Sequence, residues 1–488
     1  MAVAHRGISV DPKRTFHYYP PRFAHSGALL RRKMAVGIVG SREAFVAKEG
    51  DLPGGPRHFL RQSRRGRVKD DLNFRSTKTM HKVHPVCRSC GEGSLTSILT
   101  LGKMPLAGRL LSVDQLHREE PSYPLDLVLC PRCALVQIAQ CAPADELTRT
   151  YLSFAQPTEG FLRHARKLTS QIIASQKLRP TSLVVQVGSG DGHLLAEYQA
   201  AGIPVLGFEP AVGTAQTARE KHGVPTWAKF FNRDTAAALE GCGQPADVIH
   251  AHDVLAYVSD PNGFVAGLKV LVKPTGVAVI EVPYVKDMID NAEFDLIYHE
   301  HLSYFSLTSL GHLLARQGLV MHDVERVSIH GGSLRVFAGR TGQSSKRVRQ
   351  LLDEETAWDV DRTRFYLTFG QRIERLRQEL MALLVQLKSE GRRIAVYGAS
   401  AESSTLLNFL KVGRETVEFA VDRDASTHGR YTPGSHLKIH GPQQLVDAKC
   451  DYVLLSSAEG AEEILAHEQA YRKRGGRFII PTPTIKVA

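Results

Sequence analysis

The stretch "SLVVQVGSGDGHLLAEYQAAGIPVLGFEP", residues 182–210, constrains the fold more than any other part of the chain. Leu183–Val187 is an apolar run of strand length, three glycines punctuate a turn over 188–192, a helical pattern follows, and a second apolar run ends on Glu209. Two strands joined through a helix run parallel, with a right-handed crossover, so the segment begins an open doubly wound sheet. "ADVIHAHDVLAYVSDP", with a strand over Asp247–Ala251, and "GVAVIEVPY" supply further strands of the same sheet. Ligands of such sheets gather at the carboxyl ends of the strands, where His252, Asp253, Pro283 and Tyr284 stand. A helical stripe of Phe161, Leu162, Ala165, Leu168 and Ile172 precedes the first strand.

The glycines let the turn pass close beneath a ligand, and an acid at the second strand end can accept hydrogen bonds from both hydroxyls of a ribose. Either a dinucleotide or S-adenosylmethionine meets that description. Gly188, Gly190 and Gly192 alternate, so the third arrives one residue early for the GxGxxG of NAD sites, and the turn resembles the class I methyltransferase motif better. The expected donor-binding residues are Gly188, Ser189, Gly190, Asp191, Glu209 and His252.

A second unit of the same kind follows a long amphipathic helix over 372–393, which carries Ile373, Leu376, Leu380, Leu383, Leu384 and Leu387 at helical spacing. "RIAVYGASAESSTLLNFL" reads strand, glycine turn and helix; "VEFAVDRD" brings a strand ending at Asp422; "DYVLLSS" and "RFIIPTP" are further strands. A turn at a helix N-terminus plus Arg430 in "GRYTPG" offers a place for a pyrophosphate.

Seven cysteines include two CxxC pairs, Cys87/Cys90 and Cys130/Cys133. Four thiolates close a tetrahedral Zn²⁺ shell and leave no position for substrate, which makes the expected zinc structural. The formal net charge of +12 has an uneven source. Residues 1–80 hold 17 Lys/Arg and 6 Asp/Glu, a net of +11, and the remainder carries about +1. The basic arm, with PP and PGGP breaks, reads as a disordered extension or as a start set upstream of Met34 or Met80. A near-neutral remainder disfavours nucleic acid as the partner, and no apolar run suits a membrane span. A cytoplasmic setting is expected.

The "YHEH" run, Tyr298 to His301, falls near the ligand rim, and Ser306 is a candidate cap for the helix after it. Carbon becomes nucleophilic only when a proton beside a carbonyl is removed. A His suits the base, a Glu can orient it, and a Tyr hydroxyl can hydrogen-bond an enolate.

Together "CRSCG…LCPRCALVQ", "VGSGDGHLL", "YHEHLSYFSL", "HGGSLRV" and "VYGASAESSTLLN…VDRDASTHGRYTPG" resemble the zinc-containing S-adenosylmethionine-dependent C-methyltransferases of deoxysugar biosynthesis, over roughly residues 84–486. The resemblance implies an α/β chain of three parts after the 1–80 extension. These are a zinc-binding module (81–145), a class I methyltransferase Rossmann-like domain (146–340) and a C-terminal Rossmann-like domain that helps hold a nucleotide sugar (341–488). It implies His301 as base, with Glu300, Tyr298 and, by a looser match, Tyr151 assisting, and substrate contacts at Tyr257, Gly398, Arg430 and Tyr431. Several positions depart from the family pattern. Tyr257 stands for a His, Gln186 for an acid, Gly190 for an Asn, His252–Asp253 for Asn-Asn, and Glu402 for a Lys. Rival readings are a zinc-containing RNA methyltransferase, a diverged binding protein that keeps the fold, and a two-sheet NAD dehydrogenase.

Overall fold

A computed structural model describes residues 85–143, 146, 159–328, 331–458 and 460–488. The 1–80 extension and Tyr151 lie outside the described residues.

Three antiparallel strands come first: β1 (Thr96–Pro105), β2 (Ser122–Leu129) and β3 (Val136–Ile138). Cys87 and Cys90 precede β1, and Cys130 and Cys133 occupy the β2–β3 turn. Helix α1 (Glu159–Ser175) buries Ala165, Leu168 and Ile172 on one face, with Leu162 half-buried.

The large sheet then builds through β4 (Val184–Val187), α2 (His193–Ala200), β5 (Val205–Phe208), α3 (Val212–His222), β6 (Thr226–Trp227), β7 (Ala246–His252) and β8 (Val272–Pro283). Every residue of β4 and β5 is buried, because helices cover both faces; that is why these strands read as unbroken apolar runs. After β8 the chain passes through YHEH into the two-residue β9 (Ser303–Tyr304) and α4 (Leu307–Arg316). β10 (Val320–Val327) and β11 (Ser333–Gly339) complete the order β10-β11-β8-β7-β4-β5-β6, with β11 antiparallel to both neighbours and β4 to β8 parallel.

β9 does not join that sheet. It pairs with β3, Val136 opposite Tyr304, and so adds a fourth strand to the cysteine-bearing sheet. The predicted cap is present: Ser306 Oγ accepts from Ser309 N at 3.0 Å. The buried Glu355 accepts from the next free amides, Leu307 N and Thr308 N, both at 2.7 Å. YHEH is thus fixed from its C-terminal side, by a strand pairing directly after it and a doubly capped helix soon after.

α5 (Thr363–Ser389) starts ahead of residue 372 because Tyr366 and Phe369 extend its buried stripe; Leu383 is only half-buried. β12 (Ile394–Tyr397), α6 (Ala401–Leu410), β13 (Ala420–Val421), β14 (Ile439–His440), β15 (Tyr452–Leu455), β16 (Arg477–Ile480) and β17 (Lys486–Val487) form the second sheet. Its order is β14-β13-β12-β15-β16-β17, parallel except for β17. One apolar core runs from β1–β3 through α5 to β12 and α6. Leu111 and Tyr431 exchange backbone hydrogen bonds of 2.8 and 2.9 Å, Ser404 Oγ donates to Ala107 O, and Thr405 Oγ1 donates to Ile297 O. The second sheet therefore packs on the cysteine-bearing module and on the segment leading into YHEH.

Candidate active site and metal centre

The two CxxC knuckles are built alike. Cys87 N donates to Glu92 O and Cys130 N to Leu135 O; Gly91 N returns to Cys87 O and Ala134 N to Cys130 O. Each turn needs a left-handed residue in the same place, Gly91 (φ 76°) and Ala134 (φ 57°). Cys87 Sγ lies 3.5 Å from Cys133 Sγ, Cys90 Sγ lies 3.5 Å from Cys130 Sγ, and all four fall within 4.8 Å of one another. A zinc tetrahedron with Zn–S near 2.3 Å sets its sulfurs about 3.8 Å apart, so the four thiols fit the ion with little adjustment. Crowding them without a cation is costly. The Cys87 thiol is pulled down to about 4 by its bond with Cys133, while burial pushes Cys130 up to about 11. A dication relieves that competition by letting all four ionise. Asn262 Nδ2 donates to Arg88 O and Ser89 O at 3.0 Å, and Arg316 reaches Ser89 Oγ, so the first knuckle is pinned to the large sheet's helices.

At the glycine turn, Gly188, Gly190 and Gly192 all take left-handed backbone, with φ of 66°, 54° and 90°. Gly190 N donates to Glu209 Oε2 at 3.0 Å and Ala211 N to Glu209 Oε1 at 2.9 Å. Glu209 is fully buried, and burial raises its carboxyl above the ordinary range while these amides oppose the rise. Each carboxylate oxygen keeps a second lone pair, so ribose hydroxyls would add to the amide bonds rather than displace them. A Cβ on Gly190 would meet no atom of the described residues within 4 Å, which leaves space among them above the turn. Ser189 packs down instead: a Cβ at Gly207 of β5 would collide with its Oγ. Asp191 turns to His193. His252 also turns inward, its Nε2 2.9 Å from His250 Nδ1 and its Nδ1 3.7 Å from Glu281. Glu281 is held by Arg335, and His250 by Tyr198, so His252 belongs to a polar network within the sheet.

The rim brings four aromatic rings together. His301 is buried between Tyr304, ring centroids 4.2 Å apart at 29°, and Tyr257, 5.3 Å apart at 23°. Its Nδ1 lies 3.0 Å from Leu296 O. A carbonyl can only accept, so Nδ1 carries the proton and Nε2 keeps its lone pair. Nε2 is buried with no hydrogen-bond partner among the described residues. Burial pulls the imidazole down to about 4, with the Asp253 charge among the opposing influences. Tyr298 and Tyr257 share a hydroxyl–hydroxyl bond of 2.7 Å, and burial holds both phenols above their usual range. Glu300 does not orient His301 through Nδ1, which is Leu296's role; its Oε1 faces Gly108 N at 3.4 Å, toward the cysteine-bearing module. His299 faces away from the rim, its Nε2 donating to Tyr123 O of β2 at 3.1 Å.

In the second sheet Asp422 repeats the Glu209 arrangement: Ala399 N donates to its Oδ2 at 2.7 Å and Asp424 N to its Oδ1 at 2.8 Å. Gly398 (φ 111°) is closed in, since a Cβ there would collide with Ser456 Oγ and lie 2.9 Å from Ser403 Oγ. Tyr431 pairs its backbone with Leu111 and carries the Arg414 guanidinium 5.6 Å from its ring centre, while Arg430 is exposed. Sequence reasoning missed Tyr304, which lay inside the quoted YHEHLSYFS string, and Asp295, an acid within the apolar run just before it. Asp295 is 2% exposed, with the Ser457 side chain beside its carboxylate. Burial, then the Glu402 charge, holds its carboxyl well above the usual carboxylate range.

Three domain families match consecutive parts of the chain. One described as zinc-binding covers residues 87–147, a methyltransferase domain covers 159–324, and a C-methyltransferase C-terminal domain covers 328–483. The C-methyltransferase NovU of Streptomyces niveus is 32% identical over 410 residues, 83% of this chain and 97% of that protein. Among solved structures, magnesium protoporphyrin IX methyltransferase from Synechocystis PCC 6803 with bound SAM overlaps 41% of this chain and 92% of its own, at 15% identity and a TM-score of 0.30. A methyltransferase solved with the Trm112 activator of Haloferax volcanii overlaps 38% of this chain and 95% of its own, at 13% identity and a TM-score of 0.31. On the three domain matches and the likeness to NovU, the chain belongs to the zinc-containing, S-adenosylmethionine-dependent C-methyltransferases of deoxysugar biosynthesis.

Proposed function

We propose that the substrate is a nucleotide-linked keto-deoxysugar and that His301 removes the proton beside its ketone. The observation that carries this reading is the buried, unpartnered Nε2 of a His301 whose tautomer is fixed by Leu296 O. S-adenosylmethionine, when bound, supplies an electrophilic methyl group. The residues of this chain prepare the carbon that receives it. His301 Nε2 takes the proton, the electron pair of the broken C–H bond moves onto the carbonyl oxygen, and the enolate is left with a nucleophilic carbon. Tyr257 and Tyr298 stay protonated because burial raises both phenols, so either hydroxyl can donate to the enolate oxygen. The cost of an imidazolium in this buried place is offset by the enolate charge and by Asp253. Tyr304 and Tyr257 hold the ring in plane, which limits the ways Nε2 can point.

Gly188, Gly190 and Glu209 would hold the donor, with Ser189 and Asp191 shaping the turn and His252 acting from beneath. Arg430 and Tyr431 would serve the nucleotide, while the Gly398 turn, closed in by Ser456, would support their loops. Glu402 in the first turn of α6 disfavours a phosphate there and leaves the exposed Arg430 as the better anion partner. Proton exchange tests the base separately from methyl transfer. With a nucleotide 4-keto sugar and the demethylated donor in deuterated water, the wild-type protein is expected to exchange the proton beside the ketone and His301→Gln is not. Exchange at the wild-type rate in that variant would make another group the base. Neither exchange nor methylation with a panel of such sugars would favour a diverged binding protein, the reading to which Tyr257 and Glu402 lend support.

A further inference from the structure

A second group of metal-ligating side chains lies away from the cysteines. Asp191 and His193 flank Gly192 at the entry to α2, and His222 is the last residue of α3. One ligand atom from each of the three falls within 4.8 Å of the others. Asp191 Oδ1 contacts His193 Nδ1, and the His193 and His222 rings stand 4.4 Å apart between centroids, tilted by 52°. An Asp beside a His two residues on is by itself an ordinary local contact. His222 is what changes its meaning, because it comes from the far end of another helix and offers Nε2 as a buried atom with no hydrogen-bond partner among the described residues.

The backbone brings His222 in for reasons of its own. Gly223 turns left-handed (φ 67°) to end α3, and Val224 then packs against Gly192, whose Cβ position is 3.1 Å from Val224 Cβ. The two helix ends are therefore held together by apolar packing, and the three polar side chains meet above it. Bare, the cluster is unsatisfactory. Two imidazoles face one another, and the one carboxylate of the cluster contacts only His193. Neutral imidazole is the form that ligates.

We propose that Asp191, His193 and His222 form a second metal site, for a divalent first-row transition ion of the Zn²⁺, Co²⁺ or Ni²⁺ class. Two nitrogens and one carboxylate oxygen suit those ions and not Ca²⁺ or Mg²⁺, which prefer all-oxygen shells. Three protein ligands leave at least one position for water, unlike the closed cysteine shell. The site lies beside the donor turn: Asp191 follows Gly190, whose amide is bonded to Glu209. A bound ion would tie that turn to the C-terminal end of α3. The proposal stands independently of the sugar and of His301.

Cobalt titration of the purified full chain, with its cysteine site already filled by zinc, separates the two sites. Cobalt at the second site should give weak d–d absorption without thiolate charge-transfer bands, and total metal should approach two ions per chain. His222→Gln and His193→Gln should each weaken this second ion by about 10- to 100-fold, with the first zinc retained and the melting profile kept. One ion per chain at tens of micromolar free cobalt would overturn the proposal. So would a second ion that neither histidine variant weakens, since it would then be bound elsewhere as an adventitious ion only.

Discussion

The two sheets use one device twice and end with opposite surroundings. In each, the acid after the second strand bridges two loops: Glu209 takes Gly190 N and Ala211 N, and Asp422 takes Ala399 N and Asp424 N. Above the first turn there is space, since nothing lies within 4 Å of a Cβ at Gly190. The second is filled from its own sheet by Ser456 and Ser403, and further along α6 Ser404 and Thr405 are spent on Ala107 and Ile297. A strand–turn–helix unit is thus a scaffold whose use depends on what reaches over it. The first leaves room for a ligand over Gly190. The second is arranged to dock, and whatever nucleotide it helps hold would meet its outer loops.

The largest test of this contrast is His301→Gln. If the chemistry belongs to the first sheet's rim, turnover should fall by ~10²–10⁴, the usual contribution of a positioned base, with donor-product affinity unchanged by calorimetry. The pH profile adds a sign. A base must be unprotonated, and burial lowers His301 from 6.5 to about 4, so its acid limb should appear only as pH falls toward that value. Turnover that instead titrates through about 6.5, the ordinary imidazole value, would point to an exposed histidine as the base.

Next in size are the paired acids. Glu209→Ala should weaken donor-product binding by roughly 1–3 kcal/mol, the range for losing hydrogen bonds to a charged group, together with the support of Gly190 N. Asp422→Ala removes the same backbone bonds from the second turn and should leave donor affinity where it was. Equal losses of donor affinity in the two variants would erase the distinction between the sheets.

Local spacing made much of this legible. The CxxC pairs, the alternating glycines and Ser306 before its helix act over a few residues, and each is found in the expected form. What depended on distant partners could not be read. His301 is clamped by Tyr257, and its tautomer is set by a carbonyl, which has no side-chain signature. His252 was expected just past a strand end, yet β7 runs through it, and it turns inward because Glu281 and His250 offer partners there. Glu300 was expected to orient the base and faces Gly108 instead. Gly398 looked like a ligand turn until Ser456, from beyond β15, was placed against it.

The finest distinction is between the two glycines themselves. Both take positive φ, so Gly→Ala at either carries a backbone cost, about 1–2 kcal/mol in the left-handed well of Gly190 (φ 54°) and about 1–3 kcal/mol at Gly398 (φ 111°), outside that well. At Gly190 that is the whole cost to the free protein, because the new methyl meets no neighbour. It should nevertheless weaken donor binding, since the methyl occupies the space into which the donor is expected to lie. At Gly398 the methyl collides with Ser456 Oγ, which adds strain to that position's own backbone cost and should lower stability by about a further 1 kcal/mol without touching donor affinity. A double-mutant cycle with Ser456→Ala isolates that increment, because removing the hydroxyl relieves the nearest clash and leaves the backbone cost in place. The coupling energy should be favourable for Gly398→Ala with Ser456→Ala and absent for Gly190→Ala with the same partner. If Gly398→Ala instead weakens donor or substrate binding while leaving stability equal to that of Gly190→Ala, the second turn is a ligand site after all, and the two sheets do the same work.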